Sequence, residues 1–356
     1  MGASHPLFIF FIALLFMTSF EIPLKEQEYS FLQPSQLVKV LLSEVLDALG
    51  GIEFNSFLVG ISWPKNKLGE VQELRKTVQY GLVETLSQKT KANPNFEAPD
   101  ANILIDFDKK ALFLELKPVF VKGNYFKFSR LVAQTKHFCF KCKGRGCPYC
   151  NEKGTLSEES VEQLLEPLFI SVLSAEKLIL HGAGREDVDV LMLGEGRPFI
   201  VEITQPRKRK TDLLLLQEKI NTSLKNKVSV LSLAFSTKEE IAPLKNNPHE
   251  KIYSAIVSCE KKPLLNLLQL NKKFSVVQRT PVRVEKRRVD LDRKKEVTLL
   301  FVSKINETEF ELKLLCSHGT YVKEFISGDS LRTVPSISSM LSVECKCKQL
   351  DVLKII

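Results

Sequence analysis

The stretch GREDVDVLMLGEGRPFIVEI, from Gly184 to Ile203, decides how the second half of this chain folds. Apolar and polar residues alternate in its first half and a continuous apolar run fills its end, a pattern typical of two β-strands. The segment between them is Gly194-Glu195-Gly196, so the sequence predicts a β-hairpin. Asp187 falls where a loop enters the first strand, a place from which a carboxylate can point into a cleft and pair with a cation. The alternative, an acidic residue on a solvated loop, stays open at this point.

The same stretch closely resembles the catalytic-aspartate motif of one enzyme family, through Arg185-Glu186-Asp187 and the Leu-Gly-x-Gly-Arg-Pro-Phe that follows. The family is the zinc-containing tRNA pseudouridine-54/55 synthase shared by archaea and eukaryotes. Three more blocks resemble that family in the same order: GNYFKFSRLVAQT (Gly123 to Thr135), KIYSAIV (Lys251 to Val257) and HGTYVKEFISGDSLRTVPSISSML (His318 to Leu341). The resemblance covers roughly residues 90 to 356. Four ordered blocks are more specific than any one of them.

The resemblance implies an α+β fold in two domains, which a chain of 356 residues is long enough to form. We expect an apolar leader of uncertain status at residues 1–24, a THUMP-like α/β RNA-binding accessory domain at 25–136, and a four-cysteine zinc knuckle at 137–155. Residues 156–356 would form the pseudouridine synthase domain, with a large mixed, mostly antiparallel sheet. The residue pattern agrees, because strands outnumber helices in this half and hairpins favour antiparallel pairing.

Four residues match catalytic positions of the family. Asp187 matches the catalytic aspartate, Lys323 its basic partner, and Tyr253 the tyrosine that stacks on the target base. Leu341 matches an aliphatic residue that walls the pocket. The reaction breaks a C–N glycosidic bond, turns the uracil and rejoins it through carbon, and the uridine must first be flipped out of its RNA loop. Without the resemblance, Tyr253 and Leu341 would be ordinary core residues and Lys323 a surface lysine.

Basic residues are concentrated in the second half of the chain, in PRKRK (Pro206 to Lys210), RTPVRVEKRR (Arg279 to Arg288) and DRKK (Asp292 to Lys295). With a formal net charge of +9, these runs favour contact with RNA phosphates, although each could also be a solvated surface. Taken with the family matches, they lead to one set of predicted RNA-binding residues: Tyr125, Lys127, Arg130, Arg185, Arg207, Lys208, Arg287 and Arg332.

Four of the eight cysteines form two Cys-x-x-Cys pairs that are separated by four residues. Two thiolates from each pair, with glycines that let the chain reverse between them, fit a tetrahedral structural zinc site, which needs no open position for catalysis. The predicted ligands are Cys139, Cys142, Cys147 and Cys150. The family usually has a further Cys-x-x-Cys nearer its N-terminus, and no cysteine precedes Cys139 here. A half-site and metal-free thiols therefore stay open as alternatives.

The N-terminus conflicts with the rest of the chain. The cysteine distribution favours a reduced, intracellular protein, in the nucleus, the cytoplasm or both. PLFIFFIALLFMTSF, from Pro6 to Phe20, is nevertheless a continuous apolar run of signal-peptide length, and it is short for a membrane span. Three interpretations stay open: a signal or anchor, a buried element of the N-terminal domain, or a mis-assigned start.

The sequence therefore predicts a two-domain tRNA pseudouridine synthase that acts on the T-loop, at position 55 with position 54 as the second candidate. We expect tRNA as the partner, structural zinc without a catalytic cofactor, no small-molecule substrate, no membrane association and a monomer. One rival is a non-catalytic RNA-binding zinc protein on the same scaffold, and another is a secreted or membrane-attached protein with a cysteine-rich cap. The chain departs from the family pattern at Leu191 and at Ser330-Leu331, and the first departure puts substrate range in doubt more than the fold.

Overall fold

The computed structural model describes residues 19–25, 29, 32–63 and 68–356, without the side chains of residues 68–71, 286 and 287. The chain divides into two compact units. The first contains the described residues of Met1–Val119 with Phe169–Leu178 and Glu202–Asp212, and the second contains Phe120–Leu168, Ile179–Val201 and Leu213–Ile356. Within the described ranges, no helix is both long and apolar enough to cross a membrane.

Two helices and a five-stranded sheet make up the first unit. Its elements in chain order are β1 (Phe20–Pro23), α1 (Pro34–Ala48), β2 (Ser56–Ser62), α2 (Leu68–Thr90), β3 (Asn93–Pro94), β4 (Ala101–Asp106) and β5 (Ala111–Leu116). The strand order is β1-β5-β4-β2-β3. α1 begins with a proline in its first turn and a capping box at Gln33, and it buries the stripe formed by Leu37, Leu41 and Val45.

The end of the predicted apolar leader belongs to this sheet. Phe20 pairs with Leu114, and β1 runs antiparallel to β5 as far as Pro23. Phe20 and Ile22 also pack against the core of the first unit. Residues 1–18, which carry most of the apolar run, lie outside the described part of the chain.

The remaining elements build the second unit, and several of them cross a unit boundary. They are β6 (Val119–Lys127), β7 (Val132–Ala133), β8 (Glu159–Ser160), α3 (Val161–Leu173), β9 (Lys177–Gly182), β10 (Val190–Thr204), α4 (Leu213–Ser223), β11 (Val228–Ser236), α5 (Ile241–Asn246), β12 (Lys251–Cys259), β13 (Lys273–Arg279), β14 (Asp292–Lys304), β15 (Glu309–Cys316), α6 (Val322–Ser327), β16 (Thr333–Val334), α7 (Ile337–Leu341) and β17 (Cys345–Ile355).

Ten of these strands form one sheet, in the order β11-β6-β10-β17-β12-β15-β14-β13-β16, with β9 beside β10. β10 pairs with β17 in parallel, whereas β12 is antiparallel to both β15 and β17. The predicted α+β fold with a large mixed sheet is therefore confirmed.

The predicted hairpin at the start of the catalytic motif is wrong. β10 is a single strand that runs from Val190 to Thr204 without reversing. It lies between β6 and β17 in the sheet, and Val190–Met192 pair with Leu350–Val352 of β17. Gly194 and Gly196 have positive φ angles of 61° and 75°, so they produce an irregularity within the strand and not a turn.

Candidate active site

Asp187 lies in the loop between β9 and β10, and its backbone carbonyl accepts a hydrogen bond from Val190 at the start of the strand. The side chain is 44% exposed. Its Oδ2 atom is 3.0 Å from Nη1 of Arg283 and 3.5 Å from Nζ of Lys323. The structure therefore brings together two of the predicted catalytic residues and adds a second cation.

Lys323 stands between two aspartates. Its ammonium group donates hydrogen bonds of 2.8 Å to both carboxylate oxygens of Asp189, so this contact is closer than the one to Asp187. Burial by itself would raise the pKa of Asp189, but the hydrogen bonds and the charge of Lys323, with a backbone hydrogen bond and the charge of Arg283, together outweigh it and place the pKa below its ordinary value. Asp189 thus anchors Lys323, and this holds the positively charged ammonium group at a fixed position next to Asp187.

Arg283 is the residue of this site that the sequence interpretation missed. It lies in a short 3-10 helix, Val282–Arg287, and its Nε is 2.6 Å from Oε1 of the buried Glu324. Glu324 directly follows Lys323 on α6. One residue of this helix therefore supplies a cation that contacts Asp187, and the next residue binds the other cation, Arg283. The sequence predicts RNA contact for the basic run around Arg283 as a group, and nothing in its spacing distinguishes this arginine from its neighbours.

The amide of Gln278 fixes the start of α6. Its Nε2 donates to the carbonyl of Tyr321 and its Oε1 accepts from the Tyr321 backbone N–H, both at 2.9 Å. Gln278 is fully buried in β13, so this clamp is part of the sheet. α6 packs against β17 and α7. Leu341, the last residue of α7, is buried. The predicted pocket wall therefore lies in the helix next to the one that carries Lys323.

A buried polar network supports the loop from below. The hydroxyl of Tyr125 donates to both carboxylate oxygens of Glu186 at 2.9 and 3.0 Å and accepts from Gln134. Arg197 completes the network, with Nε 2.8 Å from Oε2 of Glu186 and Nη1 donating to the carbonyl of Ala183. Glu186 directly precedes Asp187, so this fully buried ion pair fixes the backbone next to the aspartate.

Lys127 and Arg130 hold the same loop by its backbone. Nζ of Lys127 donates to the carbonyls of Val132, Asp187 and Val188, and burial lowers its pKa to about 8. Arg130 donates to the carbonyl of Asp189 and forms an ion pair with Asp351. Because Tyr125 and Lys127 are fully buried, their side chains position the loop and present no surface to RNA.

Tyr253 lies in the middle of the large sheet, between Leu314 of β15 and Val352 of β17. Burial raises its pKa well above the ordinary range of tyrosine, and the charge of Asp187 acts in the same direction. The hydroxyl is neutral at physiological pH, as it already is at the ordinary pKa of tyrosine.

The remaining predicted RNA-binding residues fall into three groups. Arg185 is exposed beside Asp187. Arg332 donates to the carbonyl of Thr280 and pairs with Asp290, so its guanidinium group is engaged within the protein, while the side chain of Arg287 lies outside the described part. Arg207 and Lys208 are exposed, and both belong to the first unit.

The four clustered cysteines converge as their spacing predicts. The Sγ atoms of Cys139, Cys142, Cys147 and Cys150 all lie within 4.8 Å of one another. Three of the Sγ–Sγ distances are 3.8 Å, which is about the edge of a tetrahedron with Zn–S bonds of ~2.3 Å. Backbone N–H groups of Gly146 and Gly154 donate to two of the sulfurs at 3.2 Å. The cluster could hold a single metal ion with four protein ligands.

Among solved structures, a chain from "Crystal Structure of a Cbf5-Nop10-Gar1 Complex" is similar at a TM-score of 0.31 and 12% identity. The match covers 65% of this chain and 58% of that one, which is less than two thirds of its length.

Sequence matches are far more extensive. The family model described as "Pus10, C-terminal" matches residues 120–356. The tRNA pseudouridine synthase Pus10 of Methanocaldococcus jannaschii is 38% identical over 336 residues, which cover 90% of this chain and 73% of that protein. The protein of the same name from Korarchaeum cryptofilum is 38% identical over 332 residues, covering 88% and 89% of the two chains. The chain therefore belongs to the Pus10 family of tRNA pseudouridine synthases.

Proposed function

We propose that this protein isomerises a uridine in the T-loop of tRNA to pseudouridine, at position 55 with position 54 as the second candidate. The observation that carries the proposal is the carboxylate of Asp187, which is half exposed and held between Arg283 and Lys323 at 3.0 and 3.5 Å. An oriented, ionised aspartate is what the reaction needs, whether the carboxylate adds to the base or takes a proton from the sugar.

The surroundings of Asp187 support a pocket for a flipped base. Tyr253 offers a ring for stacking and a neutral hydroxyl. Lys323 and Arg283 supply positive charge at the carboxylate, and we assign the aliphatic wall to Leu341. Tyr125, Lys127 and Arg130 are positioning residues, because their polar groups bind the loop that carries Asp187 and Asp189.

We also propose that the four knuckle cysteines share one structural zinc ion. Their sulfur positions match a single tetrahedral site, and no fifth position is left for a substrate. Zinc would then stabilise the fold of residues 137–155 and take no part in the isomerisation. The first unit is, on this proposal, the THUMP-like accessory domain that helps to hold the tRNA, and its exposed Arg207 and Lys208 are candidate phosphate contacts.

The test is nucleotide-resolution pseudouridine mapping on an unmodified tRNA transcript, with the full chain and with Asp187→Asn. Parallel transcripts in which uridine 54 or uridine 55 is replaced by cytidine identify the target. We expect pseudouridine in the T-loop with the parent protein and none with the variant, although both bind the transcript. Binding by both proteins without modification by either would overturn the proposal and favour a non-catalytic RNA-binding protein.

A further inference from the structure

The zinc knuckle carries its aromatic side chains on the outside. Its packed interior consists of Cys139, Cys142 and Cys150, with Cys147 against them. Phe138, Phe140 and Tyr149 are 59%, 54% and 51% exposed. Aromatic residues normally contribute most to a small core. Here the cysteine cluster takes that place, so the three rings are left available for contact with another molecule.

Lysine side chains make cation–π contacts with two of these rings. Nζ of Lys141 lies 4.2 Å from the centroid of the Tyr149 ring, and Nζ of Lys136 lies 5.3 Å from that of Phe138. The rings of Phe140 and Tyr149 meet edge to face, with centroids 5.1 Å apart and planes at 66°. Contacts of this kind restrict the side chains before any ligand binds, which reduces the entropy lost on binding.

The charge of the knuckle has one predominant sign. From Lys136 to Gly154 there are five basic residues and one acidic residue, and all six are exposed: Lys136, Lys141, Lys143, Arg145, Glu152 and Lys153. A zinc ion with four thiolates would add a formal charge of about −2 and still leave the segment positive. The surface therefore combines exposed rings with an excess of positive charge.

We propose that this aromatic-basic face, formed by Lys136, Phe138, Phe140, Lys141 and Tyr149, binds an unpaired segment of the substrate RNA. Bases stack on the rings and phosphates lie against the lysines. This inference rests on the proposed function. Single-stranded RNA fits better than a peptide, because every base has a face that can stack on a ring and every nucleotide carries a negative charge. The interaction would be tolerant of sequence and sensitive to salt.

The first experiment measures the dissociation constant of a fluorescent single-stranded RNA of about eight nucleotides for the full chain and its variants. Tyr149→Leu should weaken binding at least about fivefold and Phe140→Leu should act in the same direction, while Tyr149→Phe stays within about twofold because it keeps the ring. Phe235→Leu is the matched control, since Phe235 is 47% exposed in β11, outside the knuckle. Zinc content, measured in every variant, shows whether the knuckle is intact.

A double variant, Phe140→Leu with Tyr149→Leu, that keeps its zinc and binds the RNA as tightly as the parent would overturn the inference. Should leucine at position 149 cost the zinc, Lys141→Gln provides an independent reading. It should weaken binding and reduce the slope of log affinity against log salt by about 0.7, the contribution of one phosphate contact on a single strand. An unchanged slope would contradict the proposed contact between Lys141 and an RNA phosphate.

The tRNA assay separates this inference from the proposed function. With full-length tRNA, the double variant should raise KM at an unchanged kcat, because the knuckle is expected to hold the RNA and take no part in the chemistry. If the parent modified no RNA but bound the oligonucleotide through Tyr149, only the proposed function would fail. Modification with a normal KM in the double variant would refute only the inference that the knuckle binds the RNA.

Discussion

The buried ion pair of Arg197 and Glu186 makes the most quantitative prediction. Both side chains are almost completely buried, 2.8 Å apart, and Tyr125 donates the remaining hydrogen bonds to the carboxylate. Arg197→Met would leave the carboxylate buried without its cation, and Glu186→Gln would leave the guanidinium group buried without its anion. Removing one partner of such a pair typically costs about 3–5 kcal/mol of unfolding free energy. For a unit of this size that corresponds to a fall in Tm of roughly 6–20 °C.

A double variant in which both members of this ion pair are replaced serves as the control. With both charges removed, neither member of this pair is left without its counter-ion, so Glu186→Gln with Arg197→Met should cost less stability than the sum of the two single losses. Urea denaturation followed by far-ultraviolet circular dichroism gives the four free energies, and the fluorescence of Trp63 reports separately on the other unit. Losses below about 1 kcal/mol in both single variants, or losses that simply add, would refute the reasoning. Since Glu186 precedes Asp187, the single variants should also lose kcat at temperatures where they are folded.

Three further predictions concern pH, backbone geometry and metal. Burial lowers the pKa of Lys251 to about 8 from an ordinary 10.5. Between these values the unfolded lysine holds more protons than the folded one, so stability should rise with pH by up to ~1.4 kcal/mol per pH unit, and urea titrations of Lys251→Met should lack this component. A Cβ on Gly194 would lie 1.9 Å from the carbonyl oxygen of Leu353, whereas one on Gly319 meets only the flexible end of a lysine at 3.3 Å. Both glycines have positive φ, so Gly194→Ala should lower Tm well below that of Gly319→Ala, and equal Tm values would contradict the packing around β10. Chelation of the metal should make the four knuckle cysteines reactive towards a thiol reagent, and equal reactivity before and after chelation would argue against bound zinc.

Periodicity accounted for most of the elements but not for their pairing. The helical spacing of Leu37, Leu41 and Val45 accounts for α1, and short apolar runs account for β4 and β5. The glycines after Leu193 predict a turn because two strands of suitable length flank them. Their partners, β6 and β17, lie far away in sequence, and local pattern contains no information on such long-range pairing.

The candidate site could be predicted where short motifs carried it. The pairing of Asp187 with Lys323 joins two blocks of family resemblance, and the structure shows the contact directly. Arg283 could not be distinguished within a run of basic residues, because its role depends on the position of Glu324 in space. Tyr125 was predicted to contact RNA because aromatic residues next to lysines often do, and only the tertiary structure shows that it is buried beneath the loop.

The central claim is that Asp187, and not its neighbour Asp189, does the chemistry. Both carboxylates contact Lys323, and Asp189 is the closer of the two, so the distances alone do not decide between them. The most direct test is the single-turnover rate of pseudouridine formation by Asp187→Asn and Asp189→Asn, with tRNA affinity measured in parallel. We predict no detectable product from Asp187→Asn and a rate within about tenfold of the parent from Asp189→Asn, which loses only the anchor of Lys323. Product from Asp187→Asn, or its complete loss in Asp189→Asn alone, would contradict the assignment.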